Sequence, residues 1–110
     1  MRAVLDVNVL IAALAAGHVQ PGYPSPVRPT DVIERLREAT DHSAHAFWAD
    51  DISLLDSNAI RADRVLGPRQ VTDVYLLALA VRHGGRLVTL DCRIPIESVP
   101  GARREHLLAL

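Results

Sequence analysis

Residues 70–91, QVTDVYLLALAVRHGGRLVTLD, decide the fold of this chain. From Val71 to Val81 the side chains are apolar on nearly all sides, which predicts a helix that is covered on more than one face. His83 and the Gly84-Gly85 pair end that helix with a left-handed cap, and residues 86–90 then form an apolar, partly β-branched strand. The sequence therefore predicts a central helix that leads directly into a strand.

The flanking sequence extends this pattern in both directions. Ala3–Leu5 is predicted as a short strand, Asn8–Ala16 as a helix, and residues 18–29 as a surface loop because they contain four prolines and a glycine. The other predicted elements are a helix from Pro29 to about Asp41, a brief strand at Ala46–Trp48, a polar helix at Ser53–Leu66 and a last strand at His106–Leu110. Alternating strands and helices predict an α/β fold with a parallel sheet and helices on both of its faces.

Length and composition indicate one domain and exclude several classes of protein. The chain has 110 residues and a formal net charge of −1, and its near-neutral balance argues against a protein held on nucleic acid mainly by a basic patch. No apolar run approaches the roughly 20 residues of a membrane span, so a cytoplasmic protein is expected. All 12 basic residues are arginines. The absence of lysine excludes every mechanism that needs one, including phosphotransfer from an aspartate nucleophile assisted by a lysine.

Three aspartates stand where predicted elements meet. Asp6 ends the first strand, Asp91 ends the strand after the central helix, and Asp73 lies in the first turn of that helix. Ligands of open α/β sheets bind outside the carboxyl ends of the strands, so these side chains are expected at one crevice. Each pair would repel by about 3 kcal/mol at about 5 Å and an effective dielectric near 20, and a divalent cation removes that cost.

A set of oxygen ligands favours Mg²⁺ or Mn²⁺ over zinc. The chemistry that such a site supports is metal-assisted hydrolysis of phosphodiesters. Each aspartate also has a structural interpretation: Asp6 as a helix N-cap, Asp73 as an acid favoured by the helix dipole, and Asp91 as a turn former. Composition and spacing alone favour this structural interpretation over a shared metal site.

Three segments, taken in order, resemble a PIN domain of the VapC toxin type. They are RAVLDVNVLI at 2–11, QVTDVYLLALA at 70–80 and GRLVTLD at 85–91, and residues 21–36 and 47–55 are also similar to the middle of that family. The resemblance covers nearly the whole chain. It implies a single PIN-like domain over residues 1–110, with a three-layer sandwich in which helices flank a short, mainly parallel sheet.

The resemblance also implies a function and a set of site residues. Asp6, Asp73 and Asp91 would be the catalytic and metal-binding residues, holding Mg²⁺, for which Mn²⁺ would substitute, and Asn8 and Thr72 would support them. The implied activity is that of a Mg²⁺-dependent endoribonuclease, the toxin component of a type II toxin–antitoxin system. Its implied partners are an RNA substrate and a cognate antitoxin protein, and we expect either a homodimer or an antitoxin complex.

The chain departs from the family pattern after its first predicted helix. Members of the family carry further helical and strand segments there, and these segments bear a glutamate of the acidic cluster. This chain has no acidic residue between Asp6 and Asp31. Glu34 and Glu38 are predicted on the exposed face of the following helix and do not replace it. The alternative function is therefore a shortened, catalytically impaired PIN domain that acts only as a metal-binding or antitoxin-binding module.

Overall fold

The computed structural model describes residues 2–5, 28–43 and 45–110. The chain divides into two compact units, one formed by residues 1–6 and 49–110 and the other by residues 7–48. The predicted helix Asn8–Ala16 and the proline-rich loop up to residue 27 lie outside the described residues. The prediction of a single domain over residues 1–110 stays a prediction.

The first unit contains a parallel sheet of three short strands. Strands β1 (Ala3–Leu5), β2 (Arg86–Thr89) and β3 (Leu107–Ala109) lie in the order β1-β2-β3, with Leu5 opposite Val88 and Thr89 opposite Ala109. The central strand β2 is the buried one, whereas the two outer strands are largely exposed. The prediction of an α/β fold with a short parallel sheet is confirmed.

A single helix supplies half of the buried hydrophobic residues described in this unit. In the helix of Val71–Arg82, buried residues lie on several sides, as its continuous apolar sequence predicts: Val74, Leu77, Ala78, Leu79 and Ala80. The helix packs against β1 and β2. Burial of this helix against the sheet is therefore what holds the first unit together.

A tight turn joins this helix to β2. Gly84 has a φ of 67°, a left-handed conformation that glycine adopts without steric cost, and the Gly85 N–H donates a hydrogen bond to the Ala80 carbonyl at 2.8 Å. Only three residues separate Arg82 from Arg86. The helix therefore runs back along β2, and its first turn lies toward the carboxyl edge of the sheet.

Helix α1 (Pro29–Thr40) dominates the described part of the second unit. The helix of Val71–Arg82 in the first unit is α2. Pro29 begins α1 at the position where a missing N–H costs nothing, and Glu34 pairs with Arg37 on the exposed face. Glu38 is also exposed, as predicted. The α1 prediction is confirmed to within a residue.

Two predicted elements are wrong. Residues 53–66 form turns and one short 3-10 helix, Ala62–Arg64, instead of an α-helix. The Ser53 hydroxyl accepts the Leu55 N–H at 3.1 Å and the Asp56 carboxylate accepts the Asn58 N–H at 2.9 Å, and such local bonds compete with the helical ones. Residues 46–48 form no strand, and Phe47 is 85% exposed where a core strand would bury it.

No helix within the described ranges is long and apolar enough to cross a membrane.

Candidate metal centre at the carboxyl edge of the sheet

Asp91 follows the central strand and has one carboxylate oxygen held in place. Its Oδ1 atom accepts the backbone N–H of Arg93 at 2.8 Å, and the Arg93 Nε atom lies 3.4 Å from the same oxygen. The Asp91 side chain is 29% exposed, and none of the contacts described for it involves Oδ2. One oxygen is therefore fixed by the turn while the other is available to a ligand.

The same contacts determine the charge of Asp91. The Arg93 backbone N–H has the largest effect and lowers the pKa of the Asp91 carboxyl below its ordinary value. Desolvation opposes this lowering, and the Arg93 guanidinium adds a smaller lowering of its own. Asp91 is therefore ionised at neutral pH, which is the form that binds a cation.

Thr89, the last residue of β2, fixes the backbone of Asp91. Its side chain is completely buried, and its hydroxyl oxygen accepts the Asp91 N–H at 3.1 Å. A bond between residues two apart turns the chain sharply at the end of the strand. Asp91 is thus held at its backbone N–H by Thr89 and at its carboxylate by Arg93.

Asp73 lies at the same end of the first unit, in the first turn of α2, and is half-buried. The evidence for this placement is Gln70, whose side-chain amide donates to the Arg93 carbonyl at 3.2 Å. Gln70 precedes Asp73 by three residues, and Arg93 follows Asp91 by two. The hydrogen bond therefore holds the turn that carries Asp73 beside the turn that carries Asp91.

The other predicted site residues are Asp6, Asn8 and Thr72, of which the structure describes only Thr72. Asp6 and Asn8 lie outside the described residues, although β1 ends at Leu5, opposite Val88 of the central strand. Thr72 lies in the first turn of α2 and is exposed. Within residues 2–5, 28–43 and 45–110, no three His, Cys, Asp or Glu side chains form a cluster suited to a metal ion. The structure thus describes two of the three predicted carboxylates, and their roles stay predictions.

The donors present at this edge fit a hard divalent cation. Two carboxylates, one ionised with an open oxygen, provide the oxygen ligands that Mg²⁺ prefers, and Mg²⁺ is usually held by one or two carboxylates with water or phosphate completing its shell. Neither imidazole nor thiolate belongs to this predicted set, so it does not select zinc.

Sequence reasoning missed three residues that organise this edge. Gln70 and Arg93 are linked over 23 positions of sequence, a contact for which the chain carries no local signal. Thr89 belongs to the GRLVTLD segment at 85–91, for which no role of its hydroxyl was predicted. A hydroxyl two residues before an aspartate at the end of a strand is the signal that would have revealed it.

The chain is thus an α/β protein whose candidate site lies at the carboxyl ends of parallel strands. The chain is 41% identical to Ribonuclease VapC44 of Mycobacterium tuberculosis over 142 residues, an alignment that covers all of both chains. It is 34% identical to Ribonuclease VapC39 of the same organism over 127 residues, covering 86% of this chain and 91% of the relative. Ribonuclease VapC29 is 31% identical over 118 residues, covering 83% and 86%.

The chain belongs to the VapC ribonuclease family, and its parallel α/β sheet is that of a PIN-type fold. No family model matches the chain, and no solved structure matches it.

Proposed function

We propose that this protein is a Mg²⁺-dependent endoribonuclease, the toxin of a type II toxin–antitoxin system. The observation that carries the proposal is the Gln70–Arg93 hydrogen bond, which holds the turns of Asp73 and Asp91 at one edge of the sheet in a chain of the VapC family. Asp6, which the family resemblance adds to the site, would complete the set of carboxylates.

Each residue of the candidate metal centre has a proposed part in this function. Asp73 and Asp91 would hold the cation, Thr89 and the Arg93 backbone orient Asp91, and Gln70 keeps the two turns together. Asn8 and Thr72 stay proposed supporting residues. When bound, Mg²⁺ would supply the charge neutralisation and Lewis acidity that phosphodiester hydrolysis requires.

The proposed partners follow from the resemblance to VapC toxins. They are an RNA substrate and a cognate antitoxin protein, and a homodimer is proposed as the alternative assembly. Leu54, Leu55 and Leu66 are 47%, 94% and 79% exposed, and Leu54 and Leu66 line an apolar cavity of about 430 Å³. Exposed apolar surface of this kind is typical of a face that a protein partner covers. We propose a cytoplasmic location, as expected from the sequence.

The proposed loss of a segment after the first predicted helix has one supporting observation. The alignment with VapC44 runs over 142 residues although this chain has 110, so the relative contains residues without a counterpart here. The alternative in which the protein only binds a metal or an antitoxin is not favoured, because VapC44, VapC39 and VapC29 are all named ribonucleases.

Cleavage of a labelled single-stranded RNA tests the proposal. Purified protein is expected to cut the RNA at internal positions in Mg²⁺ or Mn²⁺ and to leave it intact in EDTA, since the carboxylates act through a cation. The measurement is a time course with a label at either end of the RNA. Intact RNA in both metals, with the protein folded, would contradict the proposed activity.

A further inference from the structure

We propose that Arg69 and Arg93 contact the phosphates of the RNA on either side of the bond that is cut. This inference rests on the proposed function and names the residues that hold the substrate at that site. Both side chains are exposed, and both lie in the turns that the Gln70–Arg93 hydrogen bond joins.

Arg93 presents its guanidinium beside the candidate metal centre. Its side chain is 84% exposed, and its Nε atom faces Asp91 Oδ1 at 3.4 Å. The two terminal nitrogens take no part in that contact, so they are available for the two parallel hydrogen bonds that a phosphate accepts from arginine. An exposed ion pair contributes little to stability, about 0–1 kcal/mol, so a phosphate can draw the guanidinium away from Asp91 at small cost.

Arg69 extends the same positive surface on the other turn. It lies in the short 3-10 helix Pro68–Gln70, directly before the residue whose side chain reaches Arg93. Gln70 also accepts the Leu66 N–H at 3.0 Å, which fixes the backbone of this turn. Arg69 forms no ion pair within the described residues. Its charge is therefore available to a second phosphate of the same strand.

Because the chain has almost no net charge, attraction for RNA has to come from local positive charge such as that of Arg69 and Arg93. With a net charge of −1, the protein has no overall attraction for RNA, and the carboxylates of the site repel phosphate. Arginine at the rim of the site offsets that repulsion at the place where the strand must lie. Lysine, absent from this chain, would supply a point charge without the paired hydrogen bonds.

Arg104 provides the matched control. It is an exposed arginine in the 3-10 helix Arg104–His106, which directly precedes β3. Because the strands are parallel, this position lies at the amino edge of the sheet, opposite the candidate metal centre. Substitution of Arg104 removes the same charge from the protein without changing the proposed RNA contact.

The test is the salt dependence of RNA binding, measured in EDTA so that no strand is cut. The affinity for a labelled single-stranded RNA is followed by fluorescence anisotropy over a series of KCl concentrations. Each phosphate contact to a single strand contributes about 0.7 to the slope of log K against log salt. Arg69→Gln and Arg93→Gln are each expected to reduce the slope by about 0.7, and the double variant by about 1.4.

Two further variants make the outcome specific. Arg93→Lys retains the charge and is expected to keep the wild-type slope, and Arg104→Gln is expected to keep it as well. The Arg93→Gln protein retains the backbone N–H that holds Asp91, and thermal melts check that each variant is folded. Unchanged slopes for Arg69→Gln and Arg93→Gln, or an equal loss for Arg104→Gln, would overturn the inference.

The failure of this inference can be distinguished from that of the proposed function. If the wild-type protein cleaves RNA but the two arginine variants bind it with wild-type slopes, only the assignment of Arg69 and Arg93 is wrong. If the wild-type protein neither binds nor cleaves RNA, the proposed function is wrong and this inference falls with it.

Discussion

Asp73→Asn and Asp91→Asn are each expected to slow RNA cleavage by at least about 100-fold, because groups that merely support a metal ligand already change activity by about 10- to 100-fold. Asparagine has the size of aspartate but lacks the charge that holds a cation. Its side-chain oxygen can still accept the Arg93 N–H in the Asp91 variant, so the turn after β2 is retained. The measurement is the initial rate on a labelled RNA in Mn²⁺.

Asp63→Asn is the control for these two variants. The Asp63 side chain is 80% exposed and lies 3.9 Å from Arg64, and Asp63 is not one of the predicted site residues. This variant is expected to cleave RNA at the wild-type rate. A wild-type rate for folded Asp91→Asn protein would remove Asp91 from the site.

The largest loss of stability is expected from Leu77→Ala. Leu77 is completely buried in α2, the helix that packs against β1 and β2 and carries Asp73. Leucine-to-alanine substitutions at such positions cost about 3–5 kcal/mol through lost burial and the cavity that remains. Since domains of this size are stable by only about 5–15 kcal/mol, the melting temperature should fall by roughly 10–20 °C.

Urea unfolding followed by circular dichroism measures this effect, and Leu55→Ala is its control. Leu55 is 94% exposed, so the same chemical change there should alter the free energy of unfolding by less than about 0.5 kcal/mol. If Leu77→Ala and Leu55→Ala unfold at the same urea concentration, α2 is not the element that holds the first unit together.

The parts of the fold that follow from local sequence were predictable. The apolar run of α2 and the glycines after it determine where that helix ends, and Pro29 marks the beginning of α1. The helix predicted at residues 53–66 was wrong because its apolar spacing was outweighed by the Ser53 and Asp56 side chains, which bond to neighbouring backbone N–H groups. Periodicity does not register that competition.

The sequence predicts the carboxylates of the candidate site, but it does not predict the contacts that position them. Aspartates at predicted strand and helix ends indicate an edge, because strand direction follows from the α/β alternation. The Gln70–Arg93 hydrogen bond depends on how the segment after β2 folds back on the start of α2, which no local pattern reveals. The role of Arg93 in lowering the pKa of Asp91 likewise follows only from the turn that the structure shows.

Asp73 and Asp91 are proposed to hold one cation together. Direct titration with Mn²⁺, followed by the electron paramagnetic resonance signal of the free ion, measures this without any RNA. Wild-type protein and Asp63→Asn are expected to bind Mn²⁺ equally well, whereas Asp73→Asn and Asp91→Asn should each bind it at least about 10-fold more weakly. Wild-type Mn²⁺ affinity in either of the last two variants would contradict a shared cation site at Asp73 and Asp91.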